Sequence, residues 1–311
     1  MRRRWIAALL LLALTLSGCR PLVENAPAHL TVYATFYPIY ALTEAVTRGI
    51  PDLDLRCLVQ PQDGCLRNYA LSDWDIYLLA SADAVIAGGR GLEAFESTLF
   101  SLGEKGPAVS AVLYNLELYN RTRTSHAGSE SESHLDGPNP HLYMSFDGAK
   151  QIVESAAAML QTLDPGYAQE YADNVEAACQ QLDELRERAL GIIGDLSGNG
   201  VILMNETLAY VARDYGLDIA GQFDRESGVG LYDSELEECL DQLKAFDARV
   251  VLIERQAPAA LVDALRENGY AVALIDILST HRADEGFDGY VQAQLNNARA
   301  IRRAFDGEAA D

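Results

Sequence analysis

The sequence predicts an α/β protein: two parallel-sheet lobes joined by one long rigid helix. Three observations predict it. Short apolar runs rich in Val, Ile and Leu alternate with helical patterns in the first and last thirds of the 311 residues, which is the signature of parallel sheets. The middle third has helical periodicity and no strand-like run. Its second part carries one unbroken apolar stripe, the mark of a helix that must be buried along its whole length.

The elements follow in order. "LTVYAT" (30–35), "LDLRCLV" (53–59) and "DAVIAG" (83–88) read as strands, with helices over 38–48, 73–81 and 91–102. Phe146 to Leu163 is one helical segment, and Asp164-Pro165 offers a cap and a first-turn proline for a second. That second helix runs to about Ile193. Its stripe is Tyr171, Val175, Ala178, Leu182, Leu185, Ala189 and Ile193, and at 1.5 Å per residue it is ~40 Å long. "GVILM" (200–204), "RVVLIE" (249–254) and "AVALID" (271–276) are the later strands, with helices over 207–214, 233–246, 257–267 and 286–304. The expected organisation is therefore an N-terminal lobe over 30–145 with a flexible loop at 121–138, connecting helices over 146–198, and a C-terminal lobe over 199–311. A stiff spine would limit hinge closure between the lobes.

The first residues, "MRRRWIAALLLLALTLSGC", place three arginines before an apolar run from Trp5 to Leu16. This is the n-, h- and cleavage region of a secretory signal over 1–18, and the run is shorter than a membrane span of ~20 residues. Leu16-Ser17-Gly18-Cys19 reads as a bacterial lipobox. Acylated Cys19, followed by a tether over 19–29, would anchor the protein at the outer face of the cytoplasmic membrane. The chain has 24 basic and 46 acidic residues, and losing Arg2, Arg3 and Arg4 with the signal takes its charge of −22 to −25. Such a surface excludes nucleic acid as a partner.

Four further cysteines are Cys57, Cys65, Cys179 and Cys239. In an oxidising compartment Cys57 and Cys65 are the natural disulfide pair, closing a nine-residue loop for ~2.5 kcal/mol. Cys239 lies on a helical apolar face with Leu236, Leu240 and Leu243, and Cys179 flanks another; both read as buried thiols.

Open parallel sheets bind ligands beyond the carboxyl ends of their strands. The polar groups placed there are Arg67 after the second strand, His141 after the long loop, Asn205 and Glu206 after "GVILM", and Asp276 and His281 after "AVALI". The stretch "HAGSESESHLDGPNPH" (126–141) holds three of the five histidines. His126 and His134 sit among Ser, Gly and acids, a linker composition, whereas His141 ends the loop where the fold resumes. No Gly-x-Ser-x-Gly, His-Glu-x-x-His or phosphate-cradling lysine loop is present, so the reading is a binding protein without catalytic residues.

Several segments resemble, in order, the substrate-binding lipoproteins of zinc and manganese ABC importers, the ZnuA-like family. They are "TVYATFYPIYALTEAV", "AVIAGGRGLEAF", "NPHLYMSFDGAKQIVESAAAMLQTLDP", "NETLAYVARDYGLDIAG", "VVLIERQ" and "ALID". The segment "GGRGLEA" would also pass as a dinucleotide turn, but no acidic residue closes a following strand at the needed distance. The resemblance implies a monomer that hands zinc or manganese to a cognate permease, and a four-ligand site. Carried over by position, those ligands are Arg67, His141, Asn205 and Asp276. Two depart: Arg cannot ligate a cation, and Asn is a weak neutral oxygen donor. Three readings stay open. Glu206 and His281 complete a metal site with His141 and Asp276; or Arg67 pairs with Asp276 and leaves a pocket for a small polar or anionic solute; or no small ligand binds and the lipoprotein serves surface adhesion.

Overall fold

The computed structural model describes residues 29–61, 66, 69–118, 137–223 and 233–308. Cys19, Cys65, Arg67, His126 and His134 lie outside the described residues.

The strands are β1 (Leu30–Ala34), β2 (Leu53–Cys57), β3 (Ala84–Ala87), β4 (Ala108–Ala111), β5 (Gly200–Leu203), β6 (Asp218–Gln222), β7 (Val250–Glu254) and β8 (Ala271–Ile275). They form two four-stranded sheets of order β2-β1-β3-β4 and β6-β5-β7-β8, in which every neighbouring pair is parallel. The helices are α1 (Tyr37–Thr47), α2 (Asp73–Ala80), α3 (Glu96–Gly103), α4 (Phe146–Leu163), α5 (Ala168–Ile193), α6 (Ala209–Asp214), α7 (Asp233–Leu243), α8 (Ala259–Glu267) and α9 (Gly286–Asp306).

The six strands expected from apolar runs are all present. Two of the four edge strands, β4 and β6, were not legible as runs. β4 is half-exposed along its length, and β6 contains Asp218 and Gly221; a strand with one unpaired side needs less apolar sequence.

The spine is α5, 26 residues long. Tyr171, Ala178, Leu182, Leu185, Ala189 and Ile193 are buried along one stripe, and Val175 packs half-buried beside them. Helices from both halves lie on α5: α1 and α4 from before it, α9 from the end of the chain. One continuous core therefore runs from Val32 and Leu42 through Tyr171 and Leu182 to Leu203, Ile275 and Ile301. A second cluster, including Cys239, Leu243, Val251 and Leu265, covers the other face of the second sheet. Cys239 is buried and Cys179 half-buried, and neither is in a disulfide.

Two local expectations are corrected. Asp164 does not cap the spine. Its Oδ2 instead accepts hydrogen bonds from the Tyr171 hydroxyl at 3.2 Å and from His29 Nε2 at 2.9 Å, and Pro165–Tyr167 form a single 3-10 turn before the helix begins. The helix expected over 91–102 starts only at Glu96, because residues 88–95 are built around Glu93. Glu93 is buried. Its Oε1 accepts from the Thr35 hydroxyl and the Gly88 N–H, each at 2.7 Å, and its Oε2 accepts from the Gly89 N–H at 2.8 Å.

The backbone amides that a dinucleotide turn would aim at a phosphate are thus taken by this chain's own carboxylate. Gly89 has φ +83°, and a Cβ there would stand 2.7 Å from the Ala111 Cβ, so both its conformation and its packing require glycine. Burial pushes the Glu93 carboxyl up, partly offset by those three donors. Glu93→Ala would strand two N–H groups and a hydroxyl, at ~3 kcal/mol in all. Urea unfolding should show a lowered midpoint, and a change under ~0.5 kcal/mol would contradict this role.

The two halves are also joined by Asp214 at the end of α6. Its carboxylate accepts from the Phe146 N–H at 2.7 Å and the Ser145 hydroxyl at 3.1 Å, closing the amino end of α4. Burial pushes Asp214 up to about 6, although both hydrogen bonds oppose the shift. The native state then holds a proton that the unfolded chain releases near pH 4, so this group's contribution to stability falls as pH rises from about 4 to about 6. Asp214→Asn keeps an acceptor and removes the titration. The unfolding free energy of the variant minus wild type should rise by ~2–3 kcal/mol between pH 4 and 7; a flat difference would refute the assignment.

Candidate functional site

The carboxyl ends of the two sheets face each other. Tyr37, the first residue of α1 beyond β1, stacks on His281 beyond β8 with ring centroids 4.8 Å apart. The Tyr37 hydroxyl donates to the Gly286 carbonyl at 2.7 Å, and Glu44 Oε2 accepts from the Phe287 N–H at 3.1 Å. Phe36 precedes α1 in extended conformation and Pro38 sits in its first turn, so the Phe-Tyr-Pro stretch serves to launch Tyr37 at this junction.

The first cluster surrounds Asn139, which is buried. Its side-chain Nδ2 donates to the Glu206 carbonyl at 2.7 Å. That fixes its Oδ1 as an acceptor, and Oδ1 receives the His141 backbone N–H at 3.0 Å and meets His141 Nδ1 at 2.9 Å. A neutral His141 must therefore carry its proton on Nδ1, which leaves the lone pair on Nε2. The Asn139 carbonyl accepts from the Tyr210 hydroxyl at 2.8 Å. One asparagine thus orients the imidazole and ties it to the second sheet, as the outer partner of a metal-binding histidine does. An aspartate here could not donate to the Glu206 carbonyl, so the amide supplies this bond to the turn after β5. His141 Nδ1 is 3.8 Å from Glu206 Oε1, and both residues are buried.

The second cluster surrounds Asp276. Its Oδ2 meets His281 Nε2 at 2.9 Å and its Oδ1 accepts from the Leu278 N–H at 2.9 Å. Asn297 on α9 holds its backbone through two bonds, accepting from the Asp276 N–H at 2.7 Å and donating to its carbonyl at 2.9 Å. On its other side His281 Nδ1 lies 2.8 Å from Glu285 Oε2, near enough for charge pairing but without hydrogen-bond alignment. Burial pulls the His281 imidazolium down, but the hydrogen bond and charge of Asp276 and the charge of Glu285 outweigh it, so its pKa is raised. Burial likewise pushes Asp276 up, and the bond to His281 overcomes it, so its pKa is lowered.

Between the clusters stands Glu254 at the carboxyl end of β7, fully buried. β5 and β8 are both neighbours of β7, so the strand ends bearing Asn205 and Asp276 are ~10 Å apart. Asn205 spends its side chain locally. Oδ1 caps the next turn by accepting from the Thr207 N–H at 3.1 Å, and Nδ2 donates to Glu254 Oε2 at 2.8 Å.

The structure therefore brings His141 to Glu206 and Asp276 to His281, as two pairs rather than one polyhedron. Among the described residues no three His, Cys, Asp or Glu groups are arranged to hold a metal ion. Asn205 caps the turn after β5, and His281 points its ring nitrogens at carboxylates. The thiol of Cys57 is free among the described residues, and its expected disulfide partner Cys65 lies outside them. The Cys57 thiol donates to the Val59 carbonyl at 3.4 Å, and burial pushes it up to about 12. Sequence reasoning missed Asn139, Glu254 and Glu285. Asn205 followed by Glu206-Thr207 is itself a capping signal, and it could have identified that role.

His281→Phe would keep the ring against Tyr37 and remove the charge opposite Asp276. Stranding that carboxylate should cost ~3 kcal/mol, and adding Asp276→Asn should recover most of it. A double-substitution cycle by chemical unfolding measures this, and strictly additive losses would show the pair to be uncoupled.

Comparison with known proteins agrees with this fold. A model of the family described as "Zinc-uptake complex component A periplasmic" matches residues 32–304. The high-affinity zinc uptake system protein ZnuA of Yersinia pestis is 22% identical over 256 residues, covering 76% of this chain and 79% of that protein. The protein of the same name from Bacillus subtilis is 22% identical over 286 residues, covering 88% and 86%. The solved structure of the binding protein FpvC from Pseudomonas aeruginosa in complex with Mn2+ superposes with a TM-score of 0.74 at 22% identity, over 89% of this chain and 98% of that one. The chain belongs to the family of periplasmic zinc-uptake component A proteins, the metal-binding solute receptors of ABC importers.

Proposed function

We propose that this chain captures a divalent transition metal, zinc or manganese, between the carboxyl ends of its two sheets and delivers it to an ABC permease. The observation that carries this reading is His141: buried, held by Asn139 in the tautomer with its lone pair on Nε2, and beside the Glu206 carboxylate. Glu206 would replace the ligand lost at Asn205, and Asp276 would supply a third donor from across β7 once these groups, which do not surround one point in this structure, move together on the ion. One imidazole and two carboxylates are a harder donor set than three histidines, and suit manganese as well as zinc. Metal must also release Asp276 from its ion pair with His281, so capture carries an internal competitor. Zinc should therefore bind far more weakly than to a site with four good ligands.

Cys19 is the attachment point in this reading, and its acylation would hold the receptor at the outer membrane face beside the permease, as a monomer. Among the described residues no helix is long and apolar enough to cross a membrane.

The Asp276–His281 pair also supports a second reading, in which that corner of the cleft is filled from within and a small polar solute sits beside His141. Titration calorimetry with Mn2+ and Zn2+ separates the two. Wild type should bind both ions at micromolar strength or weaker, and His141→Ala and Glu206→Gln should each lose about tenfold or more. Asp276→Ala should weaken binding similarly. Nanomolar zinc binding untouched by His141→Ala would overturn the proposal, and absence of any metal binding would favour the second reading.

A further inference from the structure

β8 is the last strand of its sheet, and beside it lies a cavity of about 280 Å³ opening on the flank of α9, remote in chain position from Asn139 and His141. Val272 and Leu274 of β8 supply its apolar lining, together with Arg255 from the loop after β7 and Arg299 and Arg303 of α9. Arg299 and Arg303 are one helical turn apart and share a face. Acids outnumber bases 46 to 24 in this chain, and several of its arginines are ion-paired. Arg302 has Asp306, Arg48 has Glu44 and Arg56 has Asp54. Arg255, Arg299 and Arg303 are in no ion pair with any described residue, although the charge of Arg255 reaches Asp276 and helps to lower its pKa; Arg299 donates only to Asn296 Oδ1, at 2.7 Å. The single carboxylate on the lining is Glu308 at the rim.

We infer that this cavity is a binding site for a dianionic phosphate group. Three arginines and one glutamate leave a formal charge of +2, the counterpart of a dianion. A planar carboxylate is satisfied by one guanidinium fork, whereas a tetrahedral phosphate presents oxygens in several directions. Arginines supplied by two separate elements, the loop after β7 and α9, fit the second. The apolar wall leaves space beside the phosphate for the organic portion of a phosphate ester or for the glycerol end of a lipid head group.

The test uses the complete chain, with Arg299→Gln plus Arg303→Gln as one variant and Arg255→Gln as another. All three side chains are exposed, so the unfolding midpoints should match wild type. Inorganic phosphate, titrated calorimetrically to about 10 mM, should bind saturably, and each variant should lose about tenfold or more. Vesicles of phosphatidylcholine with and without phosphatidic acid form the second arm. Retention by phosphatidic acid that disappears in the double variant assigns the phosphate to a head group; phosphate binding with no difference between vesicles assigns it to a soluble ester. Failure to bind either probe, or binding that the substitutions leave unchanged, overturns the site.

Discussion

The structure depends on a single constraint: the apolar stripe of α5 must be buried by both halves of the chain at once. Neither sheet is long enough to cover it alone. Tyr171 to Ile193 span roughly 33 Å at 1.5 Å per residue, and α1, α4 and α9 share that length. Because α1 follows β1 and α9 follows β8, docking both helices on one spine turns the carboxyl ends of β1 and β8 toward each other. The stacking of Tyr37 on His281 and the bonds from α1 to Gly286 and Phe287 are consequences of that placement. A receptor built this way has little scope to close like a hinge, so ligand capture must come from side chains at the junction.

Those side chains are buried polar groups, and their arrangement follows from the cost of leaving them unsatisfied. Asn139, Glu93 and Asn297 each bond two backbone groups, Asp214 bonds one backbone N–H and a hydroxyl, and each closes a gap where strands or helices end. Asp276 and His281 answer the same demand with charge. A group committed to such a network is a poor metal ligand until something displaces its partner. Asn205 is permanently committed, through its cap and its bond to Glu254. His141 is different, because Asn139 engages one nitrogen and so defines the chemistry of the other.

Much of the fold was legible in the sequence, since strands buried on both faces are continuous apolar runs and the spine is a single stripe. The edges β4 and β6 were not, because half-paired strands tolerate Ser, Asp and Gly. At the site, position after a strand identified His141, Glu206, Asp276 and His281, and the structure pairs them. It could not show which would pair with which, because that depends on the order β5-β7-β8, a non-local property. The motif "GGRGLEA" was ambiguous for a similar reason: only the fold places Glu93 on the amides of Gly88 and Gly89. Composition pointed to excess acid, while the convergence of Arg255, Arg299 and Arg303 needed the packing of α9 along β8.

The most direct measurement is an X-ray absorption spectrum of the manganese- or zinc-loaded protein, compared with that of His141→Ala. A cleft built on His141, Glu206 and Asp276 predicts one imidazole nitrogen among carboxylate oxygens, with the nitrogen contribution lost in the variant. A shell of three or more imidazoles, or one unchanged by removing His141, would contradict the account.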